Sequence, residues 1–207
     1  MRAGEDWLHW DQESKSEFFQ NEPRISKMEF ENPEHISLEV LEALQETRDY
    51  IARPMYFTYE SLRSGRKILR HPHGDAVDPT SDTHAEFSLH KWGIDHSASY
   101  ATSMGVAHGK EEGKIVEDKR SFAKALDWDC NTDSLDGLFE VYLQLAQKTR
   151  WTGIGVYPFW NNKGFHTDIR DSDHPSFNAH WFRVKSGEYF PMTWSNWKRE
   201  VINEAGL

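Results

Sequence analysis

The apolar positions of the chain fall into a few separate rhythms. Leu38, Leu41, Leu44 and Ile51 recur at helical spacing, and this predicts a helix that begins at Ser37, a favourable N-cap, and stops at Pro54. Leu135, Leu138, Phe139, Tyr142, Leu145 and Ala146 make a second, cleaner stripe behind Ser134. "MYFTY" (55–59) and "HKWGIDHSASYA" (90–101) read as strand regions, and "GIGVYPFW" (153–160) as a buried strand. "GFHTDIR" (164–170) alternates as its neighbour, and "HWFRVKSGEYF" (180–190) reads as a hairpin turning at Ser186-Gly187. Short helices are expected at "SFAKAL" behind Ser121 and from Ser195 onward. Residues 1–36 show scattered aromatics and no period, so they read as an irregular arm preceding a domain over 37–207, with a long loop at 60–87. This order of elements predicts an α+β fold: a mostly antiparallel central sheet flanked by helices.

Composition narrows the class of partner. A net charge of −10 over 207 residues, with no basic patch, argues against nucleic acid, whose backbone is bound by displacing counterions with Lys and Arg. The single cysteine, Cys130, excludes an intramolecular disulfide and a cysteine zinc cluster, and reads as a small packed side chain. No apolar run has the length of a membrane span, and the first residues lack the pattern of a signal peptide. The expectation is a chain made in the cytoplasm, with release by lysis or carriage in a virion as its route outward.

The chemistry concentrates in two stretches. In "GFHTDIR", alternation sends Phe165, Thr167 and Ile169 to one face and His166, Asp168 and Arg170 to the other. In "SLHKWGIDHS" (88–97), His90 and Asp95 flank Gly93. Imidazole and carboxylate are the ligands zinc takes when thiolate is lacking, and a catalytic zinc needs three of them with a fourth position open to water. His71, His73 and His84 read as solvated loop residues, His96 as pointing to the opposite face from Asp95, and Trp92 and Trp160 as core packing.

Together these stretches resemble the zinc D-Ala-D-Ala carboxypeptidase family, in its short bacterial and phage form. That family carries Ser-x-His-x-x-Gly-x-Ala-x-Asp, a helix, a Gly-Ile-Gly-x-Tyr-Pro strand and an aromatic-x-His-x-Asp strand. Ser88, His90 and Gly93 match the first motif; Gly153, Ile154, Gly155, Tyr157 and Pro158 match the strand; His166, Asp168 and Arg170 match the last. The match spans residues 38 to 170, with extra length near 98–133. The resemblance implies one Zn²⁺ ion held by His90, His166 and a carboxylate. The family's metal-binding Asp falls on Ser97, so Asp95 is the expected third ligand, with Asp78 of "HPHGDAVD" as the alternative. Asn162, Lys163 and Gly164 stand where the family carries its general base, which leaves Asp168 as base or as the partner that orients an imidazole. Arg170 is expected to grip a substrate carboxylate or to pair with Asp168 or Asp171.

Two functions follow from the resemblance. One is a zinc peptidase that cuts peptidoglycan stem or cross-link peptides. The other is an inactive carboxypeptidase-like fold that serves assembly, as in a virion, with the N-terminal arm docking on a protein partner. The strands at 90–97 and 164–170 are expected to be neighbours in one sheet, with the His90 and His166 side chains converging.

Overall fold

The computed structural model describes residues 5–22, 25, 30, 33–51, 53, 55, 58–60, 67–69, 88–90, 123–130, 132, 134–160, 163–170, 172, 174 and 176–206. Helix α1 (Glu5–Asn21) is followed by α2 (Leu38–Tyr50), then by the small hairpin of β1 (Thr58–Glu60) and β2 (Lys67–Leu69). Strand β3 (Ala125–Asp129), helix α3 (Leu135–Lys148), β4 (Gly153–Tyr157), β5 (Gly164–Asp168), β6 (Ala179–Arg183) and β7 (Tyr189–Pro191) come next. Helix α4 (Trp194–Trp197) runs into a π-helical turn, Lys198–Ile202. No described helix is long and apolar enough to cross a membrane.

The large sheet has the order β3-β5-β4-β6-β7. It is mixed rather than mostly antiparallel: β4 pairs in parallel with β6, while the other three pairings are antiparallel. The parallel step arises because β5 already occupies one edge of β4. The chain therefore crosses through residues 169–178 to reach the other edge, and it arrives running the same way as β4.

The caps are where the sequence places them. Ser37 accepts from Val40 N, and Ser134 accepts from Gly137 N. Val40, Leu41, Ala43, Leu44 and Thr47 form the buried stripe of α2, and Leu135, Leu138, Val141, Tyr142 and Leu145 that of α3. Against these helices the sheet turns Leu126, Trp128, Ile154, Val156, Phe165, Thr167 and Phe182, all fully buried. Two buried indoles of this core find partners: Trp128 Nε1 donates to Thr167 Oγ1 at 3.0 Å, and Trp151 Nε1 to Thr47 Oγ1 at 2.7 Å, while Trp197 Nε1 has none among the described residues. Cys130 is buried in the core.

Several segments differ from the reading of the sequence; the stretch at 60–87, read as a long loop, contains β2, which pairs with β1. Residues 5–21 form a helix rather than an irregular arm. Among the described side chains of α1, Phe18 and Phe19 pack on the core, with Ile25 and Phe30 buried beyond the helix. Its sequence carries no continuous apolar stripe for a period to reveal. Residues 125–126, expected to close a short helix, instead open β3, which pairs with β5 along its whole length. Tertiary pairing of a buried strand outweighs the weak helical preference of a few residues. The final helix begins at Trp194, with Thr193 as its cap, one residue earlier than expected.

Candidate metal centre

The site lies on the sheet face opposite the helices. The register aligns Asp127 of β3, His166 of β5 and Gly155 of β4 in one row across three strands. Their side chains share a face because alternation sends Leu126, Trp128, Phe165 and Thr167 to the core. His90 does not come from a strand. It stands in a turn, its backbone N–H donating to Ser88 Oγ at 3.3 Å. The preceding Leu89 carbonyl accepts from Lys124 N at 2.7 Å, which pins the turn to the start of β3. Both edges of β5 are taken by β3 and β4, so the 88–90 segment is not its sheet neighbour as the sequence suggested.

The two histidines nevertheless meet. His90 Nε2 lies 3.2 Å from His166 Nδ1 and 3.3 Å from Asp127 Oδ1, and His166 Nδ1 lies 2.9 Å from Asp127 Oδ1. His90, Asp127 and His166 thus form a cluster that can hold a metal ion. Ligands at about 2.0 Å around a tetrahedral zinc stand about 3.3 Å apart, and the three edges come close to that. His90 is buried at 2% exposure, while Asp127 and His166 keep 15% and 16%, so the triangle opens toward solvent on one side.

The tautomer of His166 follows from its other nitrogen. Nε2 lies 3.0 Å from Asp168 Oδ2, and a carboxylate only accepts, so Nε2 carries the proton. Asp168 is itself held by Arg170, through Nε to Oδ1 at 2.8 Å and Nη2 to Oδ2 at 2.7 Å. Arg170 also donates to the Ser176 carbonyl and lies 5.1 Å over the Trp181 ring. With Nε2–H committed, the Nδ1 lone pair of a neutral imidazole would face a carboxylate oxygen at 2.9 Å. That arrangement requires positive charge between them, either a second proton or a metal ion.

The electrostatics agree. Burial opposes a charged His166, yet the hydrogen bonds and charges of Asp127 and Asp168 push it up to about 9. Burial would raise Asp127, but the charge of His90 and the hydrogen bonds of both histidines hold it well below the usual carboxylate range. Burial would raise Asp168 also, and His166 and Arg170 bring it down to about 2. Such a set, with two carboxylates and two imidazoles closed around one point, can hold a cation.

Two glycines make room for this layer. A Cβ on Gly153 would stand 2.1 Å from Asp168 Oδ1, and one on Gly155 would stand 2.7 Å from the Trp181 ring. Trp181 lies over Gly155, its ring 5.6 Å from that of His166. The Gly-x-Gly of "GIGVY" therefore keeps the strand beside His166 thin enough for the Asp168 pair and the indole to lie across it.

Of the residues singled out in the sequence, His90 and His166 meet, and Asp168 and Arg170 form a bidentate pair behind His166. Asp95, Asp78, Ser97, His71, His73, His84, His96 and Trp92 lie outside the described residues. Asp127 was not among the candidates, because β3 lies within the 98–133 stretch that reads as extra length. One signal for it was present. The first motif ends in Gly-x-Ala-x-Asp, and Ala125-Leu126-Asp127 supplies that ending once residues 95–124 are set aside as an insertion after Ile94. No family model, no curated protein and no solved structure matches this chain.

Proposed function

We propose that the chain is a zinc-dependent peptidase of carboxypeptidase-like fold that cuts peptidoglycan stem or cross-link peptides. The observation that carries this reading is the position of Asp127. It closes a His-Asp-His triangle with His90 and His166, and it restores the interrupted motif Ser88-x-His90-x-x-Gly93…Ala125-x-Asp127 in the order the resembling family uses. The gap that Ser97 left in the ligand set is thereby filled.

In this reading His90 Nε2, Asp127 Oδ1 and His166 Nδ1 hold the ion. A bound zinc ion would supply a Lewis acid for the scissile carbonyl and a water of lowered pKa. The chain's own contribution is orientation. Asp168 keeps the Nε2 proton on His166 and so aims Nδ1 at the centre, and Arg170 fixes Asp168. Both Asp168 oxygens are engaged and the side chain is fully buried, so it acts as a positioning residue. Trp181 walls the centre on the β6 side and shields it from water.

One feature favours the inactive, assembly reading: Lys163 and Gly164 precede His166 where the family carries its base. Incubation of zinc-loaded protein with purified muropeptides, followed by mass analysis, separates the two. The peptidase releases fragments, and His166→Ala abolishes both release and zinc binding. Zinc bound with no fragment from stem or cross-linked peptides leaves the assembly role.

A further inference from the structure

Strands β4 and β6 run in parallel, so the turn that follows one and the hairpin that follows the other emerge at the same end of the sheet. The turn carries Phe159 and Trp160, and the hairpin carries Arg183, Lys185 and Tyr189. The two touch: Lys185 Nζ lies 5.1 Å over the Phe159 ring. Tyr157 and Arg183 stand one step beyond Gly155 and Trp181 on the same face, and Tyr189 is the register partner of Arg183. These rings therefore continue the metal face of the sheet, starting about 6.6 Å past the row of Asp127 and His166.

Each ring of this ledge is held by a neighbour. Trp160, half-buried, stacks on Tyr157 with centroids 3.9 Å apart and planes 15° apart. The Arg183 guanidinium lies 5.5 Å over the Tyr189 ring and is itself tied down, Nε donating to the Gly187 carbonyl at 3.3 Å. Tyr189 nonetheless stays 58% exposed, more than any other large hydrophobic side chain described. Rings fixed before a ligand arrives lose little freedom on binding it. Around them stand Arg183, Lys185, Ser186 and Glu188, all exposed. Flat aromatic faces inside a rim of charged and hydroxyl groups match a ligand with the same division, an apolar face and a polar edge.

We propose that Trp160 and Tyr189 form a sugar-stacking platform beside the metal centre, and that it holds an N-acetylhexosamine ring of the glycan strand to which a stem peptide is attached. The choice of this sugar rests on the peptidoglycan reading of the triangle. A pyranose presents C–H bonds on one face and hydroxyls around its edge. The C–H face meets the negative face of an indole or phenol ring. The hydroxyls and the acetamido group find a donor in Arg183 and an acceptor in Glu188. A free stem peptide leaves this platform uncovered, so the site takes sugar-linked peptides in preference to free ones.

The test uses the zinc-loaded full chain and calorimetric binding of three probes: chitotetraose, which is sugar without peptide, a disaccharide muropeptide, and the same stem peptide free of sugar. Chitotetraose is expected to bind, and Tyr189→Ala to weaken it about tenfold. Tyr189→Phe keeps the ring and binds it as wild type does. Zinc content stays the same in both variants, since Tyr189 is none of the three ligands. The muropeptide binds about tenfold more tightly than the free peptide, and Tyr189→Ala removes the difference. No binding of chitotetraose, equal affinity for muropeptide and free peptide, or a preference that survives Tyr189→Ala combined with Trp160→Ala would each overturn the proposal. Loss of free-peptide affinity in Tyr189→Ala would assign the ledge to the peptide and overturn it as well. Failure of the peptidase reading shows differently, as chitotetraose and muropeptide that bind through Tyr189 while the muropeptide is never cut.

Discussion

Asp127 and His166 face each other as register partners across the antiparallel pair β3–β5, with 2.9 Å between Asp127 Oδ1 and His166 Nδ1. They come from segments 39 residues apart in the chain. The contact joins a carboxylate that burial would neutralise to an imidazole that burial would discharge, and each holds the other in its charged form. His90 adds a third donor from outside the sheet.

If this triangle is the zinc site, the carboxylate ligand is Asp127. Asp127→Ala is expected to lower zinc affinity by at least about 100-fold, since ligands matter more than the outer partners whose loss costs about 10–100-fold. Asp95→Ala is expected to retain zinc. Metal content after dialysis against a weak chelator measures both, and retention by Asp127→Ala together with loss by Asp95→Ala would reverse the assignment.

Arg170 holds Asp168, which in turn holds His166, so a metal in the triangle would feel its loss. Arg170→Ala leaves a fully buried carboxylate without its cation, a change that costs about 3–5 kcal/mol of stability. Zinc affinity is expected to fall about 10–100-fold at the same time. Arg170→Lys restores charge but not the two-pronged grip, so its affinity lies between the two. Urea unfolding and zinc titration of the three proteins give the order; wild-type zinc affinity in Arg170→Ala would show that the pair does not orient His166.

The buried indole of Trp128 depends on one hydroxyl. Thr167→Val keeps the shape and leaves Trp128 Nε1 without the oxygen now 3.0 Å away. The cost is about 1–3 kcal/mol, the penalty for an unmet buried donor. Thermal melts should show a lowered Tm with zinc binding preserved, since Thr167 points to the helices and His166 to the metal centre. An unchanged Tm would mean that the bond contributes nothing.

His180 gives the fold a pH dependence that is separate from the metal ligands. It sits beside Ile154 on the helix face, with Nδ1 3.1 Å from the Tyr142 hydroxyl, and burial lowers its pKa against the weaker opposing charge of Asp168. The unfolded chain therefore takes up the proton first, at about pH 6.5. The stability this neutral imidazole contributes is present above that pH and is lost as the pH falls through it toward the depressed folded value. Urea unfolding between about pH 5 and 8, with chelator present throughout, should show wild type losing more stability on acidification than His180→Asn. Parallel curves for the two proteins would remove His180 from the acid response.

Much of the framework was legible in the sequence because its signals are local. Ser37 and Ser134 announce the two main helices, since a cap and a 3.6-residue stripe need only neighbours within a few turns. The alternation of "GFHTDIR" already separates Phe165 and Thr167 from His166, Asp168 and Arg170, because the pleat alone decides which side chains share a face. The hairpin at Ser186-Gly187 is equally local, with Gly187 at φ 95° in a conformation that other residues rarely adopt. Which strands lie side by side is a different kind of fact. Nothing within "ALDWD" states that it pairs with β5, that β6 joins β4 in parallel, or that the His90 turn is pinned to Lys124. Those choices rest on burying one apolar sheet face against α2 and α3, a condition satisfied only by the whole chain at once. Local pattern therefore determined α2, α3, β4, β5 and the β6–β7 hairpin, and the motif resemblance pointed to two of the three candidate ligands, His90 and His166. The third, Asp127, was decided by tertiary pairing, because a residue becomes a ligand through what stands across from it in space.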